Sequence, residues 1–196
     1  MTERDLPAPA RDISALGVRE RILAAATELF YEHGINATGV DRLVDVSSVS
    51  KRTLYKHFSA KDAVVEEYLR SIEDHLDHRA VRADDPRERL LGIFDLRPRG
   101  RIRGCPFHNA AVEAADAMPG VRTVVSDFKR RSIVGLEEMA EAAGARDPAR
   151  LARQLAVVFE GAMALSTSLD DPGPVADARE IAAALIDAAT RSSDRD

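Results

Sequence analysis

Cysteine occurs once in this chain, at Cys105, and tryptophan not at all. A lone thiol excludes an intrachain disulfide framework and a thiolate metal cluster. No apolar run approaches the ~18–20 residues that a bilayer-crossing helix needs. The first 17 residues mix Pro, Asp, Glu and Arg where a secretory leader would place a basic and then an apolar stretch. These absences predict a cytoplasmic protein with no membrane partner. Also missing are a Gly-rich phosphate loop, an HExxH pair and a Ser-His-Asp order, so no catalytic residue is assigned and an enzyme is not expected. The histidines (His33, His57, His75, His78 and His108) do not form a convincing ligand set. His75 and His78 have i, i+3 spacing, but Asp74 and Asp77 beside them read as an exposed polar face. Neither a metal nor a cofactor is expected.

What is present suits a globular chain of one large or two small domains. Its 196 residues are 45% hydrophobic and 31% charged, enough to bury a substantial core. The net charge of −5 does not suggest a nucleic-acid binder, but its distribution does. Between Ser50 and Lys61 stand Lys51, Arg52, Lys56 and Lys61, with His57 and no acid. Phosphate attraction acts near the contact surface, because salt screens it within ~10 Å at 0.1 M. A local basic patch on an acidic body can therefore still bind DNA.

The apolar spacing is helical throughout, and neither a period-2 strand nor a repeat is visible. Residues 1–17 read as a flexible arm. A first helix is expected from about Arg19 to His33, with Ile22, Ala26, Leu29 and Phe30 on one face and Gly34 as its stop. A short helix with Val40, Leu43 and Val44 should end at Ser47-Ser48, and another should run from about Ser50 to His57. The stripe Val65, Tyr68, Leu69, Ile72, Leu76 predicts a longer fourth helix. Asp85-Pro86 and Asp147-Pro148 each read as a cap followed by proline at the first helical position, and Pro106 and Pro119 can open two further helices. Gly144 closes one helix, and two more are expected at about 148–168 and 174–191. The fold expected is all-α with about nine helices. A three-helix head at 18–62 precedes a larger helical domain at 63–196.

Residues 38–61 carry the functional reading. Two short helices joined by about three residues fit a helix-turn-helix, whose second helix lies in the DNA major groove. With Leu54 buried, Arg52 and Lys56 point away from the core and Thr53 and Tyr55 flank them. That face offers a fork donor, an ammonium, a phenol and a hydroxyl, suited to phosphates and base edges.

The run Val49-Ser50-Lys51-Arg52-Thr53-Leu54-Tyr55-Lys56-His57-Phe58, followed by Ser59-Ala60-Lys61-Asp62, resembles the TetR-family signature VSxxTLYxHFxxKxxL. The stretch from Arg19 to Gly34 resembles the first helix of that family, so the likeness covers about residues 19–65. It implies phosphate contacts from Thr38, Tyr55, His57 and Lys61, and groove contacts from Ser50, Lys51, Arg52 and Thr53; the competing readings are a structural His57 and a Tyr55 that only packs. Arg52 is the chosen base reader, bidentate to guanine. The family usually has Gly where this chain has Ser48, a turn position expected to need positive φ at a cost of about 1 kcal/mol.

The resemblance also implies a ligand chamber and a two-fold dimer in the later helices. The dimer follows independently from geometry: one reading helix meets only a few base pairs, so an inverted-repeat operator calls for a symmetric pair. The last two helices, about 148–191, offer Leu155, Phe159, Ala162, Leu165, Ile181, Leu185 and Ile186 to that interface or to the monomer core. Phe94, Phe107, Phe128, Phe159 and Met163 could line a chamber for an unidentified small molecule, with Cys105, His108 and Asn109 as polar groups. The reading is a ligand-released repressor, with activation the alternative because the head specifies only where the protein binds; a helical interaction protein without DNA binding is the competing class, and the intact basic run argues against it.

Overall fold

The computed structural model describes residues 13–77, 84–95, 102–114 and 117–191. Among these residues the backbone forms nine α-helices and no strand, as the spacing requires. They are α1 (Val18–His33), α2 (Val40–Ser47), α3 (Lys51–His57), α4 (Lys61–Asp77), α5 (Pro86–Leu91), α6 (Pro106–Ala114), α7 (Pro119–Ala142), α8 (Pro148–Leu169) and α9 (Gly173–Thr190). Of the expected arm, residues 1–12 lie outside the described residues, and Ile13–Ala15 form a 3-10 turn. His78 also lies outside them.

Local chemistry sets the helix ends. Pro86, Pro106, Pro119 and Pro148 each open a helix, where a missing N–H leaves no bond unmade. Asp85 accepts the Arg87 N–H at 3.0 Å, and Asp147 accepts that of Arg150 at 3.0 Å. Three helices end in a left-handed residue: Ser48 (φ 52°), Gly144 (φ 79°) and Asp170 (φ 51°). In each case the next N–H returns to a carbonyl five residues back: Val49 to Val44 (3.0 Å), Ala145 to Ala140 (3.0 Å) and Asp171 to Ser166 (3.2 Å). The expected positive φ at Ser48 is therefore observed, and only one of the three ends uses glycine.

Two compact units emerge from the packing. The first contains α1–α4, α6 and α7 up to residue 127. It is wider than the 18–62 head expected from the sequence because α4 buries Val64, Val65, Tyr68, Leu69 and Ile72 within it. Phe30 and Tyr68 meet edge to face at 5.5 Å. The stripe stops one turn early, since Leu76 is 46% exposed.

The second unit contains α5, the 3-10 turn Gly92–Phe94, residues 102–105, α7 from residue 128, and the antiparallel pair α8 and α9. Leu151, Leu155 and Ala162 of α8 share a core with Ala178, Ala182 and Ile186 of α9. Leu155, Ala162 and Ile186 are thus core residues of this unit and leave no surface for a partner copy. Arg87 fixes α5 to α9 through a fork, Nε to Asp187 Oδ1 at 2.8 Å and Nη2 to Oδ2 at 3.2 Å. At the other end of α8, the Asp170 carboxylate accepts the Ile102 N–H at 2.9 Å.

Candidate nucleic-acid interface

Residues 48–50 separate α2 from α3, the three-residue link expected for a helix-turn-helix. The pair is fastened from beneath by Leu43, Val44, Ser47, Leu54 and Phe58, all buried. Ser50 caps α3: its Oγ accepts the Thr53 N–H at 3.1 Å and lies 2.8 Å from Thr53 Oγ1. The Arg19 guanidinium sits 5.4 Å over the Phe58 ring and pairs with Glu67 at 2.6 Å, pinning the end of α3 to α1 and α4.

On the outer face of α3, Arg52, Lys56 and His57 are exposed and Tyr55 is 50% exposed. Among the described residues no ion pair holds Arg52 or Lys56, whereas Lys51 beside them is paired. Its ammonium lies 2.5 Å from the Asp41 carboxylate of α2, and that hydrogen bond holds it above the usual lysine range. Asp41 was not visible as a functional residue in the sequence, because the pairing depends on how α2 crosses α3.

Two expected phosphate contacts change character. Thr38 is fully buried, and its hydroxyl donates to Gly34 O at 2.8 Å and to Leu29 O at 3.3 Å. Moreover α2 opens at Val40 with Gly39 as its cap, so Thr38 belongs to the preceding turn. Its side chain holds that turn together and is not presented to DNA. Lys61 donates to Ile35 O at 2.6 Å. Burial pushes its ammonium below the usual lysine range, while Asp62 and Glu113 pull it the other way.

The expected ligand-chamber residues divide between the units. Phe107 is completely buried in the first unit, where His108 is exposed and Asn109 half-buried. In the second, buried Phe94 meets half-buried Phe159 edge to face at 5.8 Å. Met163 is half-buried, and its carbonyl accepts the Thr167 hydroxyl at 2.8 Å. Lys129 donates to the buried Cys105 thiol at 3.5 Å, forms an ion pair with Glu160, and lies 5.8 Å over the Phe128 ring. No group of three or more metal-ligating side chains occurs among the described residues, and no helix there is long and apolar enough to cross a membrane.

Comparison with known proteins leads to one family. The profile of the bacterial regulatory proteins of the tetR family matches residues 22–68, and that of a tetracyclin repressor-like C-terminal domain matches residues 96–182. Over 60 residues the chain is 42% identical to the transcriptional activator FasR of Mycolicibacterium smegmatis, covering 31% of this chain and 26% of that protein. Over 71 residues it is 39% identical to the repressor KstR2 of Rhodococcus jostii, covering 36% and 35%. The chain thus spans only about a quarter to a third of the length of these curated relatives. A solved TetR transcriptional regulator from Streptomyces avermitilis is similar over 90% of this chain and 100% of its own, at 30% identity and a TM-score of 0.73. With a fastened helix-turn-helix, both halves matched and a full-length relative of the same architecture, the chain belongs to the TetR family of transcriptional regulators.

Proposed function

We propose that this chain is a repressor that binds an inverted-repeat operator as a homodimer and is released by a small molecule. The observation that carries the DNA reading is the outer face of α3. Arg52 and Lys56 stand there exposed and, among the described residues, in no ion pair, over Leu54 and Phe58 that fix the helix from below. Arg52 has the fork geometry that guanine O6 and N7 select, and Lys56, Tyr55 and His57 reach phosphates on either side. Ser50, Lys51 and Thr53 contribute from the start of α3, while Lys61, at the start of α4, is engaged with the Ile35 carbonyl.

The dimer is proposed to form through α8 and α9. Val157 (73% exposed), Leu165 (55%) and Ile181 (51%) lie outward, with the small Gly161, Ala164 and Ala184 beside them. Apolar side chains among small ones allow close helix approach, and such a patch is costly to leave in water. The ligand is proposed to bind in the second unit, where Phe94, Phe128, Phe159 and Met163 supply apolar area and Cys105 and the Lys129–Glu160 pair supply polarity. Release requires a ligand that binds the non-matching conformation more tightly, by about 5.5 kcal/mol for a swing from 1:99 to 99:1.

Anisotropy titrations test the reading. Arg52→Ala should relax base preference at one position in each half-site, whereas Lys56→Ala should weaken all duplexes alike and reduce the salt slope by about 1. If Arg52→Ala leaves preference intact, the chosen base reader is wrong.

A further inference from the structure

The turn between α1 and α2, residues 34–39, decides where the helix-turn-helix begins, and it is held from outside that motif. Asn36 donates its backbone N–H to Glu113 Oε2 at 3.0 Å and its side-chain Nδ2 to the Glu113 carbonyl at 2.8 Å. Glu113 lies 77 residues further along, in the last turn of α6. Its carboxylate also covers Gly34, where an added Cβ would come within 2.9 Å of Oε2 and 3.1 Å of Oε1. Gly34 has φ 92°, a backbone conformation that favours glycine, and the Glu113 carboxylate lies close over it. From α4, Lys61 grips the intervening carbonyl of Ile35 at 2.6 Å. The turn is therefore clasped between a carboxylate and an ammonium, and neither belongs to α2 or α3. The α2–α3 pair must follow that turn as a body, because Leu43, Val44 and Leu54 lock the two helices together.

We propose that Glu113 is a positioning residue for DNA reading, acting from α6 through Asn36 on the α1–α2 turn. The proposal rests on the DNA-binding reading above and extends it to a residue that touches no DNA. Its two-point grip matters because base readout is intolerant of small displacements, whereas phosphate attraction is not. Losing the clasp should therefore reduce discrimination between sequences more than it reduces overall attraction to DNA.

The test uses the full chain and two duplexes: one enriched by the wild-type protein from a random pool, and a scrambled version of it. Glu113→Ala should lower affinity for the enriched duplex about tenfold, the order expected when a charge-assisted hydrogen bond is lost. Affinity for the scrambled duplex should stay within about twofold, since that binding is electrostatic. Glu113→Gln keeps an acceptor for the Asn36 N–H and should recover most of the discrimination. Hydrogen exchange should show residues 34–38 opening faster in Glu113→Ala and not in Glu113→Gln. An unchanged ratio of the two affinities in Glu113→Ala overturns the proposal alone. So does an equal fall on both duplexes together with a lowered Tm, which would make Glu113 a purely structural residue. A wild-type chain that enriches no sequence overturns the DNA reading itself, and this proposal with it.

Discussion

Replacing Ser48 with glycine should stabilise the protein, and the same replacement at Asp170 should destabilise it. Both residues sit in the left-handed region at nearly the same angles, φ 52° and ψ 44° for Ser48 and φ 51° and ψ 40° for Asp170. That conformation costs an ordinary residue about 1–2 kcal/mol. Glycine removes the cost but adds about 0.5–1 kcal/mol of unfolded-state entropy, so the backbone gain is about 0.5–1 kcal/mol. At Ser48 nothing opposes it, because the exposed side chain takes no part in the α2 cap. For a chain of this size the melting temperature should rise by about 1–4 °C. At Asp170 the substitution also deletes the carboxylate that accepts the part-buried Ile102 N–H at 2.9 Å. A hydrogen bond to a charged group contributes about 1.5–3 kcal/mol, so the net change there is a loss of about 1–2 kcal/mol. Urea unfolding followed by circular dichroism measures both, with an unchanged m-value as the control. Equal signs for the two variants, or no gain from Ser48→Gly, would refute the argument that left-handed strain is the deciding term at Ser48.

Three further outcomes follow from named contacts. Asp41→Asn frees Lys51 from its 2.5 Å partner and should raise affinity for every duplex, steepening the salt slope by about one unit; an unchanged slope would mean that Lys51 faces no phosphate. Ile181→Glu places a charge on the outward apolar face of α9 and should give a species of half the mass in light scattering, with operator affinity lost in parallel; a dimer of undiminished stability would move the interface elsewhere. The Arg87 fork holds the Asp187 carboxyl below its usual 3.8. With a lower folded value, the unfolded chain binds more protons between the two values. The stability is therefore complete above about 3.8 and lost as pH falls through the folded value. Asp187→Asn should accordingly be less stable than wild type near pH ~6 and converge with it in acid, by a small amount suited to an exposed pair. A pH-independent difference would assign the effect to packing.

What could be read from the sequence was chemistry acting over one or two turns. Ser50 as a cap, the proline helix starts, Gly34 as a stop and the left-handed Ser48 all depend on neighbours within five residues. The outward direction of Arg52 and Lys56 follows from Leu54 by helical rotation alone. Contacts that need two elements to meet were beyond reach. The burial of Thr38 depends on the carbonyls of Leu29 and Gly34, and the grip of Lys61 depends on Ile35, 26 residues earlier. The Asn36–Glu113 clasp, across 77 residues, has no local signature at all. Periodicity likewise found the apolar faces of α8 and α9 but could not sort them. Leu155 and Ile186 turned out to face their own core, and Leu165 and Ile181 face outward. Rotation about a helix axis is set by the neighbour it packs on, and the sequence does not name that neighbour.

In the proposed function, α3 reads a specific duplex as one half of a symmetric pair. The decisive experiment is selection from a random-sequence DNA pool with the full chain, at a stated salt concentration. The expected outcome is enrichment of an inverted repeat whose two half-sites each lose preference at one base pair in Arg52→Ala. Enrichment of no sequence above the non-specific background, or of a single asymmetric site that Arg52→Ala binds equally well, would contradict it.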